Sequence, residues 1–543
     1  MSDRITMKVP PPIQRATRRD FLRATAGVAA LLAAPGAIGR ASAGNSQWAK
    51  GYPFSLGVAS GDPTPDGFVI WTRIAPEPLS SDPQTPGGMT GSDIPVAYEV
   101  AADDAFTSID RRGVAPAEAR YAYSVHLQIG GLDPARPYWY RFSVGEAQSR
   151  IGRASTAPAL GSALDKLRFA FVSCSHYEFG YFSAYRHLAD EHPDFVVFLG
   201  DYIYEYLESK RPTVRKHSDG VDATDLRTYR NRYAQYRLDP DLQRLHAEIP
   251  ALMTWDDHEV QNDYANMWSQ TFDDPKSFLG RRAAAYHAFY EHMPLRPSFS
   301  QPDGPNMRIF DRFSFGDLAK FHVLDGRQYR SKPACYGPPN KGRGHLETNA
   351  SCPERLDESR SMIGMAQEAW LQQGLSSSPC RWNFIAQDVC MAALRQKVDD
   401  GSIGYWTDDW NGYPASRTRL LNHIHDARVT NPIVLTGDIH CFFTNDLKLD
   451  FEDPSSPTVA TEFIGGSVTS PGPPSGLFEK YLPDNPHVKF FNGREHGYVS
   501  VELSKEECTT KFQIVSDIRD PKAIVSTLKT FTVENGRAGA KEG

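Results

Sequence analysis

Six short apolar runs, LRFAFVSCS, DFVVFLGD, PALMTWDD, LAKFHVLD, RWNFIAQD and NPIVLTGD, recur through the chain from about residue 161 onward, and most of them stop on a polar residue. Their β-branched and aromatic density is that of buried strands. Stretches of helical character, among them GYFSAYRHLADE, SFLGRRAAAYHAFYEHM and ASRTRLLNHIHDAR, lie between several of the runs. Strands and helices in alternation predict an α/β core. In open sheets of that kind ligands bind beyond the carboxyl ends of the strands. The polar residues that close these runs are therefore the first candidates for chemistry.

Upstream the pattern differs. GFVIWTRI, PVAYEVA, YAYSVHLQI and PYWYRFSV are separated by the turn-rich segments PQTPGG and GGLDPARP, a spacing that predicts a β-sandwich of fibronectin or immunoglobulin type over 44–160. GLDPARPYWYRF resembles the tyrosine-bearing corner of fibronectin type III modules. At the extreme N-terminus Arg18-Arg19 precedes an Ala- and Leu-rich core and Ala41-Ser42-Ala43. A basic segment, a short apolar core and a small-residue cleavage site make a removable export signal over 1–43, of twin-arginine type, rather than a membrane span. The implied partner is the twin-arginine translocase, and the expected location is periplasmic or secreted. No later apolar run approaches the length of a membrane span. A net charge of -7 argues against a surface that draws the chain to nucleic acid. The segment 208–222 reads as a polar insertion, a lid or loop near the site.

Seven cysteines in an exported chain leave at least one unpaired, and Cys174 is the candidate. Cys335 and Cys352 flank a Gly-, Pro- and Asn-rich loop that a disulfide would close. Pairing among Cys380, Cys390, Cys441 and Cys508 stays open.

Four strand ends carry potential metal ligands: Cys174 in FVSCS, Asp201 and Tyr204 in GDYIY, the cluster WDDHEVQND over 255–263, and Asp438 with His440 in TGDIH. Thiolate, phenolate, imidazole and several carboxylates together suit a trivalent or transition ion beside a harder cation. The ordered set LGVASGDPTPDGFVIWTR, FVSCS, FLGDYIYEY, TWDDHEVQND, LDGRQYRS and LTGDIH resembles the alkaline phosphatase D family of metallophosphoesterases from about Phe54 to the C-terminal region. The resemblance implies a catalytic domain over 161–543 built as a double β-sheet sandwich flanked by helices. It implies a ferric ion, Fe3+, held by Cys174, Asp201, Tyr204 and His440. Asp201 would bridge to calcium, Ca2+, which Asn262 and Asp438 would also bind, with Asp257 a further ligand.

The implied reaction is hydrolysis of phosphate mono- and diesters at alkaline pH, by in-line attack of a hydroxide held between the two cations. His258 would protonate the leaving alkoxide or hold the nearby carboxylate. Arg327 and Arg330 would clamp phosphate oxygens. Two residues depart from the family pattern: Asn411 stands where an Asp is expected, and Asp388 where a second Gln is expected. The competing readings are an iron-dependent redox enzyme and a non-catalytic cell-surface binding protein. Iron without calcium would mark the former, and missing ligands the latter.

Overall fold

The structure, a computed structural model, describes residues 51–543 except 208–210, 339–341 and 475; the expected export signal lies outside the described residues. Two large sheets face each other. The first has ten strands, and its centre is the parallel set Lys166–Val172, Phe195–Leu199 and Ala251–Thr254. The second has seven strands, with Ala319–Val323, Trp382–Ala386, Pro432–Thr436 and Thr458–Ile464 parallel at its centre. Central parallel strands are covered on both faces, which is why FVVFL is apolar throughout, PIVLT is apolar up to its closing Thr436, and both are buried at every residue.

Side chains on these strands alternate between two cores. Phe195 and Val197 point between the sheets, where they join Phe169, Phe321, Phe384, Leu435 and Phe463. Phe321 meets Phe195 and Phe169 edge-on at centroid distances of 5.2 and 5.0 Å, a favoured aromatic geometry. Val196 and Phe198 point outward instead, into a core with Tyr185, Leu188, Tyr233, Leu245 and Phe289. Those residues come from the helices Ser183–Asp190, Leu226–Arg237, Pro240–Glu248 and Pro275–His292. The outer face of the second sheet is covered in the same way by Met365–Ser376 and Pro414–Asp426, through Leu371, Leu375, Leu420 and Leu421.

The N-terminal strands divide between two sheets. Ile94–Ala101, Ile109–Ala117, Pro137–Val144, Ala147–Gln148 and Gly152–Ser155 form one of their own. Val58–Thr64, Gly67–Arg73 and Ser124–Ile129 instead extend the ten-stranded sheet, because Gly61 pairs in parallel with Ala251. A Cβ at Gly61 would stand 2.7 Å from the Ala251 carbonyl oxygen, so only glycine permits that junction. Both N-terminal layers share one core, in which Phe68, Ile70 and Val125 pack with Val96, Val100, Tyr140 and Phe142.

Cys335 and Cys352 form a disulfide, and the other five cysteines, Cys174 among them, are free and buried. The described part of the polar insertion is anchored: Val214 donates its N–H to the Glu178 carbonyl at 2.8 Å, and Arg215 pairs with Asp239 at 2.6 Å.

Candidate metal centre

At three of the four predicted strand ends the backbone enters a region that side chains rarely adopt. Cys174, Asp201, Asp438 and His440 have φ values of 62, 52, 61 and 58°, in the left-handed region that side-chain-bearing residues rarely occupy. Such conformations persist only where surrounding structure imposes them, and they concentrate at functional sites. Gly200, at φ 96°, makes the turn that leads into Asp201.

Three groups of ligand atoms result, each gathered within 4.8 Å: Cys174, Asp201 and His440; Asp201, Asp257 and His258; and Asp257, Asp263 and Asp408. Asp201 belongs to the first two. The Tyr204 hydroxyl donates to Asp201 Oδ2 at 2.7 Å and lies 3.0 Å from His440 Nε2. His440 Nδ1 is 2.9 Å from the Pro471 carbonyl. A carbonyl only accepts, so the proton sits on Nδ1 and Nε2 presents its lone pair to the cluster.

The electrostatics are those of a site built around positive charge. Burial pushes the Cys174 thiol and the Tyr204 phenol well up, and the Asp201 charge adds to both shifts. Desolvation likewise lifts the carboxyls of Asp256 and Asp438 far above the carboxylate range; Arg327 opposes this and neighbouring carboxylates reinforce it. Asp263 is raised to about 8 by burial and by the charges of Asp408 and Asp257. Asp256 Oδ2 and Asp257 Oδ1 are buried without a hydrogen-bond partner among the described residues. Orphaned carboxylate oxygens in a crowd of like charges fit hard cations, and the thiol, phenol and imidazole fit a transition ion.

His258 donates its backbone N–H to Asp201 Oδ1 at 3.4 Å, and its Nδ1 lies 2.6 Å from Glu205 Oε2. Glu205 also accepts the Asn262 backbone N–H at 2.8 Å, while the Asn262 side chain donates to Gln270 at 3.1 Å. Arg327 and Arg330 lie beneath the cluster, fully buried, rather than open to a substrate. Arg327 bonds Asp256 at 2.5 Å and Asp408 at 2.8 Å, and Arg330 bonds Asp408 at 3.0 Å. Asp388 lies 3.5 Å from Arg327 and 3.6 Å from Arg330, so its charge has a structural counterpart there. Asn411 accepts from Arg417 at 2.8 Å. Sequence reasoning passes over Glu205, Asp263 and Asp408. Glu205 falls inside FLGDYIYEY and Asp263 inside WDDHEVQND, but neither is singled out there.

Fold and site together define an α/β protein with a candidate metal centre at the carboxyl ends of its parallel strands. Residues 169–512 match the PhoD-like phosphatase family, and residues 39–158 match the N-terminal domain of PhoD-like phosphatases. The chain is 40% identical over 535 residues to alkaline phosphatase D of Bacillus subtilis (strain 168), covering 97% of this chain and 89% of that one. A solved structure of PhoD superposes with a TM-score of 0.84 at 41% identity, covering 91% of this chain and 92% of the other. The chain belongs to the PhoD-like phosphatases and is a phosphoric ester hydrolase.

Proposed function

We propose that this chain is an exported, metal-dependent phosphoesterase acting on phosphate mono- and diesters, with its catalytic machinery in the part that follows about residue 160. The observation that carries the reading is Asp201, which contributes to two adjacent ligand groups at once and so has the position of a bridging carboxylate. Cys174, Asp201, Tyr204 and His440 would hold a ferric ion; Asp201, Asp257, Asn262 and Asp438 would hold calcium. When bound, the two cations would supply Lewis-acid polarisation of the phosphoryl group and make a water nucleophile available near neutral pH.

The protein's own groups do the rest. Burial pulls the His258 imidazole down, but the charges of Asp257, Glu205 and Asp201 outweigh it and hold the ring well above its usual range. Glu205 occupies Nδ1, which leaves the Nε2 proton for the leaving oxygen. Arg327 and Arg330 neutralise Asp256, Asp388 and Asp408 and so fix the loops that carry the ligands. The N-terminal segment would direct the folded protein through the twin-arginine translocase, with cleavage after Ala43.

Elemental analysis and a visible spectrum of the purified enzyme, with hydrolysis of an aryl phosphate and an aryl diester, test the reading. Iron and calcium should both be present. Tyr204→Phe should lose the visible absorption and iron, with activity falling by about 100-fold or more. Unchanged hydrolysis in Asp201→Ala would overturn the assignment.

A further inference from the structure

Three consecutive residues of FLGDYIYEY border the metal centre: the Tyr204 hydroxyl bonds Asp201 at 2.7 Å, Glu205 lies 2.6 Å from His258 Nδ1, and Tyr206 adds a ring. The Tyr206 ring stands 5.0 Å from that of His258 and 6.0 Å from that of Tyr204, centroid to centroid, at 70 and 80° to their planes. The His176 ring is 5.9 Å away, at 58°. Tyr204 itself packs closely against His176 and His258, at 4.4 and 4.2 Å with tilts of 31 and 33°. Tyr206 is therefore steeply inclined to all three rings, and its contacts with Tyr204 and His258 have the edge-to-face geometry that aromatic pairs favour.

The four rings differ in exposure. His176, Tyr204 and His258 are buried, at 1, 1 and 5% of their surface, whereas Tyr206 is only partly buried. Among these rings Tyr206 is thus the one that still presents surface to solvent at the edge of the centre. A phosphate ester has two ends to be met there. The carboxylates, thiol, phenol and imidazoles of the centre, with any cations they hold, serve the anionic phosphoryl end. The organic end needs apolar surface, and a tyrosine that keeps one side against protein and another open supplies it at little cost in side-chain freedom. With His258 Nε2 facing the leaving oxygen, the carbon bonded to that oxygen comes beside the His258 ring, which is where Tyr206 stands.

We propose that Tyr206 is a specificity-determining residue whose ring packs against the organic group on the leaving oxygen and favours flat apolar groups, the aryl class, over small alkyl ones. The inference rests on the proposed role of His258 in the same site. An aryl group offers a ring to Tyr206, whereas a methyl group offers too little surface to gain from it. The contact needs the ring and not the hydroxyl, so phenylalanine should serve in its place.

The test uses the metal-loaded full enzyme. Phosphate release from phenyl phosphate and from methyl phosphate is measured for the wild type, Tyr206→Phe and Tyr206→Ala. The ratio of kcat/KM for the phenyl ester to that for the methyl ester should fall about 10-fold in Tyr206→Ala, through a higher KM for the phenyl ester, and should keep its wild-type value in Tyr206→Phe. Tyr206→Leu, which has apolar bulk without a ring, should show the same selective loss and replaces Tyr206→Ala if that variant does not fold. Inhibition by phenylphosphonate and methylphosphonate repeats the comparison without turnover, and only the former should weaken. An unchanged ratio in Tyr206→Ala overturns the proposal, whether both esters are hydrolysed as before or both suffer equally, as loss of ring packing alone would cause. Asp201→Ala separates this inference from the reading it rests on. If that variant loses both activities while Tyr206→Ala keeps the wild-type ratio, the metal centre stands and only the role of Tyr206 falls.

Discussion

Glu205 shows what a single side chain adds that no sequence motif announces. It lies one residue beyond Tyr204 in FLGDYIYEY, yet a glutamate after a strand end has no periodic or spacing signal to separate it from a solvated charge. Only the folded chain shows it buried, with one oxygen on His258 and the other on the Asn262 backbone. Asp201, Tyr204, Cys174 and His440 are legible earlier because each closes a recognisable strand or motif. Their convergence is legible only through family resemblance, since the distances depend on sheet order. Glu205→Gln keeps the shape but weakens the charged contact that orients His258. Its kcat should fall by about 10- to 100-fold while the bound-metal content stays at the wild-type level. Steady-state kinetics with metal analysis check this, and an unaltered kcat would reduce Glu205 to a packing residue.

Individual elements were largely readable because the physical rules that make them are local. FVVFL is a strand by composition, and Asp225 caps the helix Leu226–Arg237 through the Thr228 N–H at 2.8 Å. What local rules do not contain is the partner of each strand. The N-terminal strands read as a sandwich, but Val58–Thr64, Gly67–Arg73 and Ser124–Ile129 pair into the main sheet through a contact about 190 residues away in sequence. The left-handed strand ends were equally hidden, apart from the glycine that precedes Asp201. A Cβ on Gly200 would lie 2.4 Å from both Asp256 Cβ and the Asp256 nitrogen, at a φ of 96° that disfavours any side chain. Gly200→Ala should therefore cost about 3 kcal/mol or more and displace Asp201 from Tyr204. Denaturant unfolding should show the loss of stability, and activity should fall further than stability alone explains. A variant with wild-type stability would mean that the strand end relaxes freely.

At the scale of the whole molecule, the N-terminal strands and the catalytic core are joined by buried polar contacts as well as by a shared sheet. Asp62, next to the Gly61 junction, accepts the Arg296 backbone N–H at 2.9 Å, and the Arg296 side chain returns a bond to the Asp62 carbonyl at 3.0 Å. Burial raises the Asp62 carboxyl to about 7 even though the Arg296 charge pulls it down. An unfolded aspartate titrates near 3.9. Between those two values the folded protein keeps a proton that the unfolded chain has lost, so the native state binds more protons and its stability declines as pH rises. The contribution is complete below about pH 4, falls by up to about 1.4 kcal/mol per pH unit, and levels off above about pH 7. Asp62→Asn removes the titrating group while retaining an acceptor oxygen for Arg296. Unfolding free energies measured at pH 5, 6, 7 and 8 should show the variant gaining on the wild type from pH 5 to 7 and then running parallel to it. Parallel profiles over the whole range would mean that Asp62 is ionised in the folded protein and that Arg296 holds it as a carboxylate across the seam.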